Sequence, residues 1–367
     1  MKHNIYEAIA AVNEIVSPAY LSGGAVRAHV GGGSSPDLDF CTPLLPEEVE
    51  ELVKAAGRHV NPIGKLHGTI MFKAPMGDEF VPVEVTTFRT EAYEKDSRKP
   101  VVAFVDNLHH DLSRRDFTVN AMAIGPNGRL IDLFGGEADL ADHIIRAVGK
   151  PKERFNEDPL RMLRMCRFAT QLESVVDPET MAAAQDRAHR ILMVSKERWV
   201  QEMDKILISP RAHFGLHLIE KSGLLRFMFP ELQVQVGYDQ MTPYHAFTLW
   251  EHTMRMVEGL PEDIDMRWAG LLHDIAKPAM RVKNRKGRTF TRVDEYGVRC
   301  EVDQHHFVKH DLVGAEMAGK VCDYLRFSKD RKTKVVDYVL GHMNASSPMK
   351  ASDHAAAVDW SFYGENW

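Results

Sequence analysis

Cysteine is scarce: Cys41, Cys166, Cys300 and Cys322 are the only four in 367 residues, and no two form a Cys-x-x-Cys pair. That excludes a thiolate zinc site and a disulfide framework, and it suits a reducing compartment. No apolar run approaches the ~20 residues that a membrane span needs. Positive charge is not in excess either. With 46 Lys and Arg against 52 Asp and Glu, the net charge of -6 excludes a wholesale cationic coat for nucleic acid but leaves room for local basic patches. There is no internal repeat and no low-complexity tract. The opening "MKHNIYEAIAAVNEIV" sets Glu7, Asn13 and Glu14 among apolar residues, which reads as an amphipathic helix rather than a signal peptide. A cytoplasmic protein is expected, with no membrane partner.

What is present falls into distinct styles. The length exceeds one hydrophobic core, so two or three domains are expected. From about Leu21 to Leu133 short strand-like runs are punctuated by Gly, Pro and Asn, with one helical stretch near Glu47 to Ala56. After Gly135-Gly136 apolar residues return every three or four positions, as in "DPLRMLRMCRFATQL". From about Arg211 the chain is helical and histidine-rich, interrupted by the basic, alternating "MRVKNRKGRTFTRVDEYGVRCEV". The expected fold is an α+β head, a small mixed β-sheet with helices, followed by an all-α neck and body. The expected boundaries are 1–135, 136–210 and 211–367.

The chemistry begins in "SGGAVRAHVGGGSSPDLDF", Ser22 to Phe40. Gly23-Gly24 follows the apolar Leu21 and opens a helix carrying Arg27, a turn that lets backbone N–H groups approach an anion. Strand alternation places Asp37 and Asp39 on one face, with Leu38 and Phe40 on the other. Two carboxylates side by side call for a cation between them. A phosphate cradle beside a carboxylate pair describes a site for a magnesium-bound nucleoside triphosphate. The candidate third acid is Glu84 in "VPVEVTTFR", facing away from Val83 and Val85.

The order apolar-Gly-Gly, then Asp-apolar-Asp-apolar, resembles the polymerase beta-like nucleotidyltransferase superfamily. Four further stretches resemble the bacterial CCA-adding tRNA nucleotidyltransferases and the related poly(A) polymerases: "RRDFTVNAMA" (114–123), "IDLFGGEADL" (131–140), "RFNEDPLRMLRMCRFA" (154–169) and "SKERWVQEM" (195–203). The resemblance implies that Asp158 and Arg161 of Glu-Asp-x-x-Arg select the incoming base without a template. Lying three apart, they are expected on one helix face, with Arg164 and Arg167 continuing the ridge toward the triphosphate or fixing the pair. It also implies that Arg115 reaches phosphates, that Asp116 and Asn120 serve the ribose or local architecture, and that Gly135-Gly136 is a hinge. The chain departs from the family pattern at Ala28, where an Asp is common, and at Leu133, where Pro is usual.

The histidines of the last region carry a second signal. "LWEHTMRMV", "LLHDIAKP" and "HHFVKHDLVGAEMA" set His252, His273-Asp274 and His310 on predicted helices. Histidines and an aspartate on facing helices match a divalent transition-metal site in a helical bundle. They resemble the HD phosphohydrolase domain, which implies a possible secondary phosphohydrolase activity. The candidate closing aspartate is Asp337, with His342 nearby. In the inserted hairpin Lys283, Arg285, Lys286 and Arg288 form a basic run for tRNA phosphates.

The expected activity is addition of C, C and A to the 3′ end of tRNA from CTP and ATP. A partial enzyme adding CC or A alone, a poly(A) polymerase, and an HD phosphohydrolase with a vestigial head are the alternatives.

Overall fold

The computed structural model describes residues 4–35, 37–61, 64–92, 101–243, 246–283, 287–293 and 299–344. Contacts gather the chain into two compact units, Met1–Arg161 with Leu172–Arg187, and Met162–Gln171 with Ala188–Trp367. The expected divisions after 135 and 210 do not coincide with these units, because 136–161 and 172–187 gather with the head.

The first unit is built on a six-stranded mixed sheet. In chain order its elements are α1 (Ile5–Asn13), β1 (Tyr20–Ser22), α2 (Gly24–Val30), β2 (Asp39–Thr42), α3 (Pro46–Ala55), β3 (Thr69–Met76) and β4 (Glu79–Thr87). There follow β5 (Arg89–Ala92), β6 (Val101–Phe104), α4 (Leu108–Ser113), β7 (Met122–Ile124), β8 (Leu130–Asp132), α5 (Gly136–Ala141), β9 (Ile144–Ile145) and α6 (Pro151–Glu157). Helix α7 (Leu160–Gln171) gives its first two residues to this unit, which closes with β10 (Val175–Val176) and α8 (Pro178–Arg187). The sheet order is β3-β4-β2-β1-β7-β8, with β2 and β4 parallel and the other neighbours antiparallel. The short β5–β6 ribbon was not expected from the sequence pattern.

Register separates what holds the sheet from what it presents. Ile124, Leu21, Phe40, Val85 and Ile70 stand side by side across five strands, and all are buried in the core. Ile5, Ile9 and Val12 of α1, Val26 of α2 and Val49 and Val53 of α3 belong to the same core. One residue along each strand, Ala123, Ser22, Asp39, Glu84 and Met71 form the adjacent row on the opposite face. The helix starts are marked locally. Asn4 accepts the Tyr6 N–H at 3.0 Å, and Pro46 opens α3 while the Leu45 N–H donates to Glu48 Oε2 at 2.7 Å.

Gly135 takes φ +76 at the start of α5, a conformation suited to glycine, but Gly136 is buried. A Cβ on Gly136 would overlap the Thr118 carbonyl, 2.8 Å from its carbon. This expected hinge is therefore a close-packed joint inside the first unit. Gly136→Ala is expected to cost about 1–3 kcal/mol by overpacking. An unchanged denaturation midpoint would show that the joint is loose.

The second unit is helical. It holds the rest of α7, then α9 (Lys196–Leu207), α10 (Ala212–Lys221), α11 (Leu225–Met228), α12 (Pro230–Gln233), α13 (Leu249–Gly259) and α14 (Ile264–Leu272). After four short strands, β11 (Val282–Lys283), β12 (Thr289–Val293), β13 (Arg299–Asp303) and β14 (His305–His306), its last described elements are α15 (His310–Tyr324) and α16 (Lys329–Gly341). The expected insertion is thus two antiparallel ribbons, β12 with β13 and β11 with β14. Among the described residues no helix is long and apolar enough to cross a membrane.

Candidate functional site

The glycine turn and the arginines of the first unit form one hydrogen-bonded assembly. Gly23 takes φ +68 between β1 and α2, and a Cβ there would lie 3.2 Å from Arg115 Nη1 and 3.9 Å from Asp39 Oδ2. Glycine thus brings the turn down onto the arginine and the carboxylate. Arg27 donates to Asn120 Oδ1, and Asn120 Nδ2 donates to Asp116 Oδ1 at 2.9 Å. Asp116 also accepts the Phe117 N–H at 2.9 Å. The Asp absent at Ala28 is therefore not what holds Arg27; Asn120, oriented by Asp116, makes that contact. Arg115 donates to Ser22 Oγ at 2.9 Å and to the Asn120 carbonyl at 3.3 Å. Sequence reasoning missed its main anchor. Asp111, fully buried, takes Arg115 at 3.3 Å and Arg114 at 2.7 Å. The i,i+3 and i,i+4 spacing of an acid before two arginines was the available signal.

The carboxylates sit beside this assembly. Strand β2 begins at Asp39, so Asp37 lies just before the strand rather than in it. The alternation still holds, since Asp37 is exposed, Leu38 and Phe40 are buried and Asp39 is half-buried. Glu84 stands beside Asp39 on the parallel strand β4. Burial pushes the Asp39 carboxyl above its ordinary range, and the neighbouring Glu84 and Asp37 push it further, against the opposing pull of Arg115. Three like charges with too little compensation make a place for a cation, and an all-carboxylate donor set suits magnesium.

The Glu-Asp-x-x-Arg segment is arranged differently from expectation. Asp158 is not on a helix with Arg161; it is extended, at φ -132 and ψ 102, in the break between α6 and α7. Its Oδ1 accepts the Leu160 N–H at 3.1 Å. Pro159 disfavours a helical conformation in the residue before it, which separates the two. The partner of Arg161 is Glu157, at 2.7 Å, and Arg161 also donates to the Arg114 carbonyl at 2.7 Å. Arg154 reaches the Ser113 carbonyl at 2.9 Å. These bonds fasten the segment to the chain that carries Arg115. Arg164 and Arg167 lie in the second unit, where they meet Glu202 of α9 at 3.8 and 2.6 Å and lie over the Phe168 ring.

The helices of the second unit converge on Asp274. His252 comes from α13, His273 and Asp274 from the end of α14, His310 from the start of α15 and His342 from the end of α16; all five are buried. Their ligating atoms form two trios, His252–His273–Asp274 and Asp274–His310–His342. Asp337 is exposed, so it is not the closing ligand; His342, noted at sequence level as merely nearby, is in the cluster. Lys277 lies 2.7 Å from Asp274 Oδ2 and 2.8 Å from Gln240 Oε1. Burial opposes the charge on Asp274, yet His273 and Lys277 hold its carboxyl well below the usual range. Burial likewise opposes protonation of His273, and Asp274 outweighs it; burial, with His273 beside it, lowers His342 to about 4. Four imidazoles and one carboxylate suit a transition metal.

In the ribbons Lys283 and Arg288 are exposed, whereas Arg285 and Lys286 lie outside the described residues.

Comparison with known proteins places the chain in a family. Residues 19–146 match the Poly A polymerase head domain, 175–235 the probable RNA and SrmB-binding site of polymerase A, and 243–360 the HD domain. The CCA-adding enzyme of Lactococcus lactis subsp. cremoris (strain SK11) is 39% identical over 298 residues, 80% of this chain and 69% of that enzyme. The chain belongs to the CCA-adding enzyme family. Another member, from Geobacillus sp. (strain WCH70), is 42% identical over 211 residues, 57% of this chain and 50% of that enzyme. The chain spans about half the length of several such curated relatives. Among solved structures, the Bacillus stearothermophilus CCA-adding enzyme in complex with CTP has a TM-score of 0.59 and 25% identity, over 95% of this chain and 80% of that one. A tRNA nucleotidyltransferase complexed with a primer tRNA and an incoming ATP analog has a TM-score of 0.54 and 25% identity, over 72% of this chain and 75% of that one.

Proposed function

We propose that this chain adds C, C and A to the 3′ end of tRNA, using CTP and ATP at one template-free site. The observation that carries the reading is the placement of Asp39 and Glu84 on adjacent strands, with Arg115 and the Gly23 turn against Asp39, in a chain of this family. In this reading Gly23, Gly24 and Arg27 receive the triphosphate, and Arg115 donates to its oxygens. Asn120, held by Asp116, fixes the direction of Arg27, and the two are assigned to the ribose. Asp37 and Asp39 hold Mg2+, with Glu84 as the third carboxylate. When bound there, magnesium acidifies the primer's terminal hydroxyl and offsets charge developing on the phosphoryl group.

Base choice falls to Asp158 and Arg161, an acceptor and a forked donor able to match the edges of C and A. Glu157 holds the guanidinium of Arg161 in one plane for that task. Arg164 and Arg167 act at a distance from the base, steadying α7 through Glu202. The basic run Lys283, Arg285, Lys286 and Arg288 is assigned to tRNA phosphates. A second activity, phosphoester hydrolysis, belongs to the Asp274 cluster, whose converging imidazoles favour a transition-metal ion there.

The test uses tRNA transcripts ending before the first C, after the second C and after the terminal A, with CTP and ATP supplied separately. Stepwise completion that halts at A is expected, and Asp37→Ala should abolish addition of both bases. Extension past A would mark a poly(A) polymerase, and incorporation of only one base a partial enzyme. Retained incorporation by Asp37→Ala would end the single-site reading.

A further inference from the structure

We propose that the hollow beside the end of β2 and the start of α4 holds a nucleobase of the RNA strand being extended, that of the nucleotide before its 3′-terminal one. This occupant rests on the reading of the chain as a tRNA nucleotidyltransferase. The hollow measures about 510 Å³. Pro43, Leu45 and Phe104 supply apolar lining, and Asp106, Asn107 and His110 supply polar lining.

Its walls are tied to the strands that carry Asp39 and Glu84. Thr87 Oγ1 donates to the Leu44 carbonyl at 2.7 Å, the Phe88 N–H to the Thr42 carbonyl at 2.7 Å, and the Val105 N–H to the Phe88 carbonyl at 2.9 Å. Strand β2 opens on Asp39, and Pro43 follows its last residue. That separation is on the order of 13 Å at ~3.3 Å per residue. A strand whose 3′ end lies at Asp39 can therefore reach the hollow with an upstream base. Phe104 is 41% exposed and Leu45 44%, so both leave apolar surface uncovered. The Phe104 ring lies against Gly68, at φ +83, where a Cβ would be 2.8 Å from Phe104 Cε1.

The lining favours a base over the backbone. Among the described residues it includes no Lys or Arg, and the Asp106 carboxylate would repel a phosphate. An aromatic ring in a concave site is what unpaired RNA bases stack on. Asn107 caps α4, its Oδ1 accepting the His109 N–H at 2.8 Å, which leaves the amide N–H groups as donors. Asp106, one residue earlier, only accepts. An acceptor next to a donor matches the pairing edges of C and A, whose amino group donates and whose ring nitrogen accepts. On U and G that polarity is reversed.

The test extends tRNA transcripts that end after the second C and carry C, U or an abasic site just before it. With the parent chain, U or the abasic site should raise KM for RNA about tenfold. Phe104→Ala should raise it by as much for the C transcript, and Asp106→Asn should erase the preference for C over U. KM for ATP should not follow in either variant, and a thermal melt confirms that both are folded. In a separate binding reaction without ATP, 5-iodocytidine at the same position should photocrosslink to Phe104 or His110. That crosslink from a chain that adds no nucleotide would sustain the pocket while ending the nucleotidyltransferase reading. A crosslink elsewhere, or a KM for RNA indifferent to the base and to both variants, would overturn the pocket. A rise confined to KM for ATP would give the hollow to the free nucleotide and overturn it equally.

Discussion

Asp39→Asn raises the melting temperature of the metal-free protein at neutral pH and abolishes nucleotide addition. The two effects have one origin. Asp39 is half-buried, with Glu84 and Asp37 as like-charged neighbours, and Arg115 only partly offsets them. Its carboxyl is therefore harder to ionise in the folded chain than in the unfolded one. Between the ordinary carboxylate pKa, near ~3.9, and the raised folded value, the native state binds more protons, so stability falls as pH rises through that window. Asparagine has the same shape and no charge to lose. Its advantage should be absent in acid and present at neutral pH. Saturating Mg2+, which neutralises the native carboxylates, should narrow the gap. Melts in chelator at several pH values check this, and a variant melting no higher than the parent at neutral pH would contradict it. In the proposed reading Asp39 holds the metal, so its loss should lower the addition rate by about 10³-fold or more, for C and A alike.

Asp111→Asn is the largest expected loss of stability. The side chain of Asp111 is fully buried and accepts from Arg114 Nε at 3.0 Å, Arg114 Nη2 at 2.7 Å and Arg115 Nη2 at 3.3 Å. An amide removes the negative charge and turns an acceptor into a donor, leaving two guanidinium groups without their buried counter-charge. Breaking a buried pair on one side costs about 3–5 kcal/mol. For a unit of this size that is a fall on the order of 10 °C in melting temperature. A functional readout separates this from plain destabilisation. Arg115 loses the anchor that keeps it against Gly23, so KM for CTP and ATP should rise together while the ratio between the bases is kept. A variant with unaltered melting and unaltered KM would show that the cluster contributes nothing net.

The head was largely legible because its signals are local. Alternation alone put Asp37 and Asp39 on one face, and the flanking valines turned Glu84 away from the core. The parallel pairing of β2 with β4, which sets Glu84 beside Asp39, joins strands that are not consecutive in the chain, so only the fold supplies it. The arrangement of Asp158 was misjudged because helical spacing was carried across Pro159, although proline's restriction of the preceding residue was itself readable. His342 escaped the site because it follows the last turn of α16, where periodicity says nothing about which helix end it meets. The grouping of 136–161 and 172–187 with the head depends on contacts such as α6 with α8, which no local pattern encodes.

The two adjacent rows across the sheet have an evolutionary consequence. The row from Ile124 to Ile70 lies in the core, and the row containing Ser22, Asp39 and Glu84 is one residue away. That is a step of about 3.3 Å along each strand. A slip of β2 by one position would drive Asp39 into the hydrocarbon and lift Phe40 into water. Misaligned drift is thus removed by misfolding before it can yield a folded but idle enzyme. Selection for a sound core guards the alignment of the carboxylates without acting on catalysis at all.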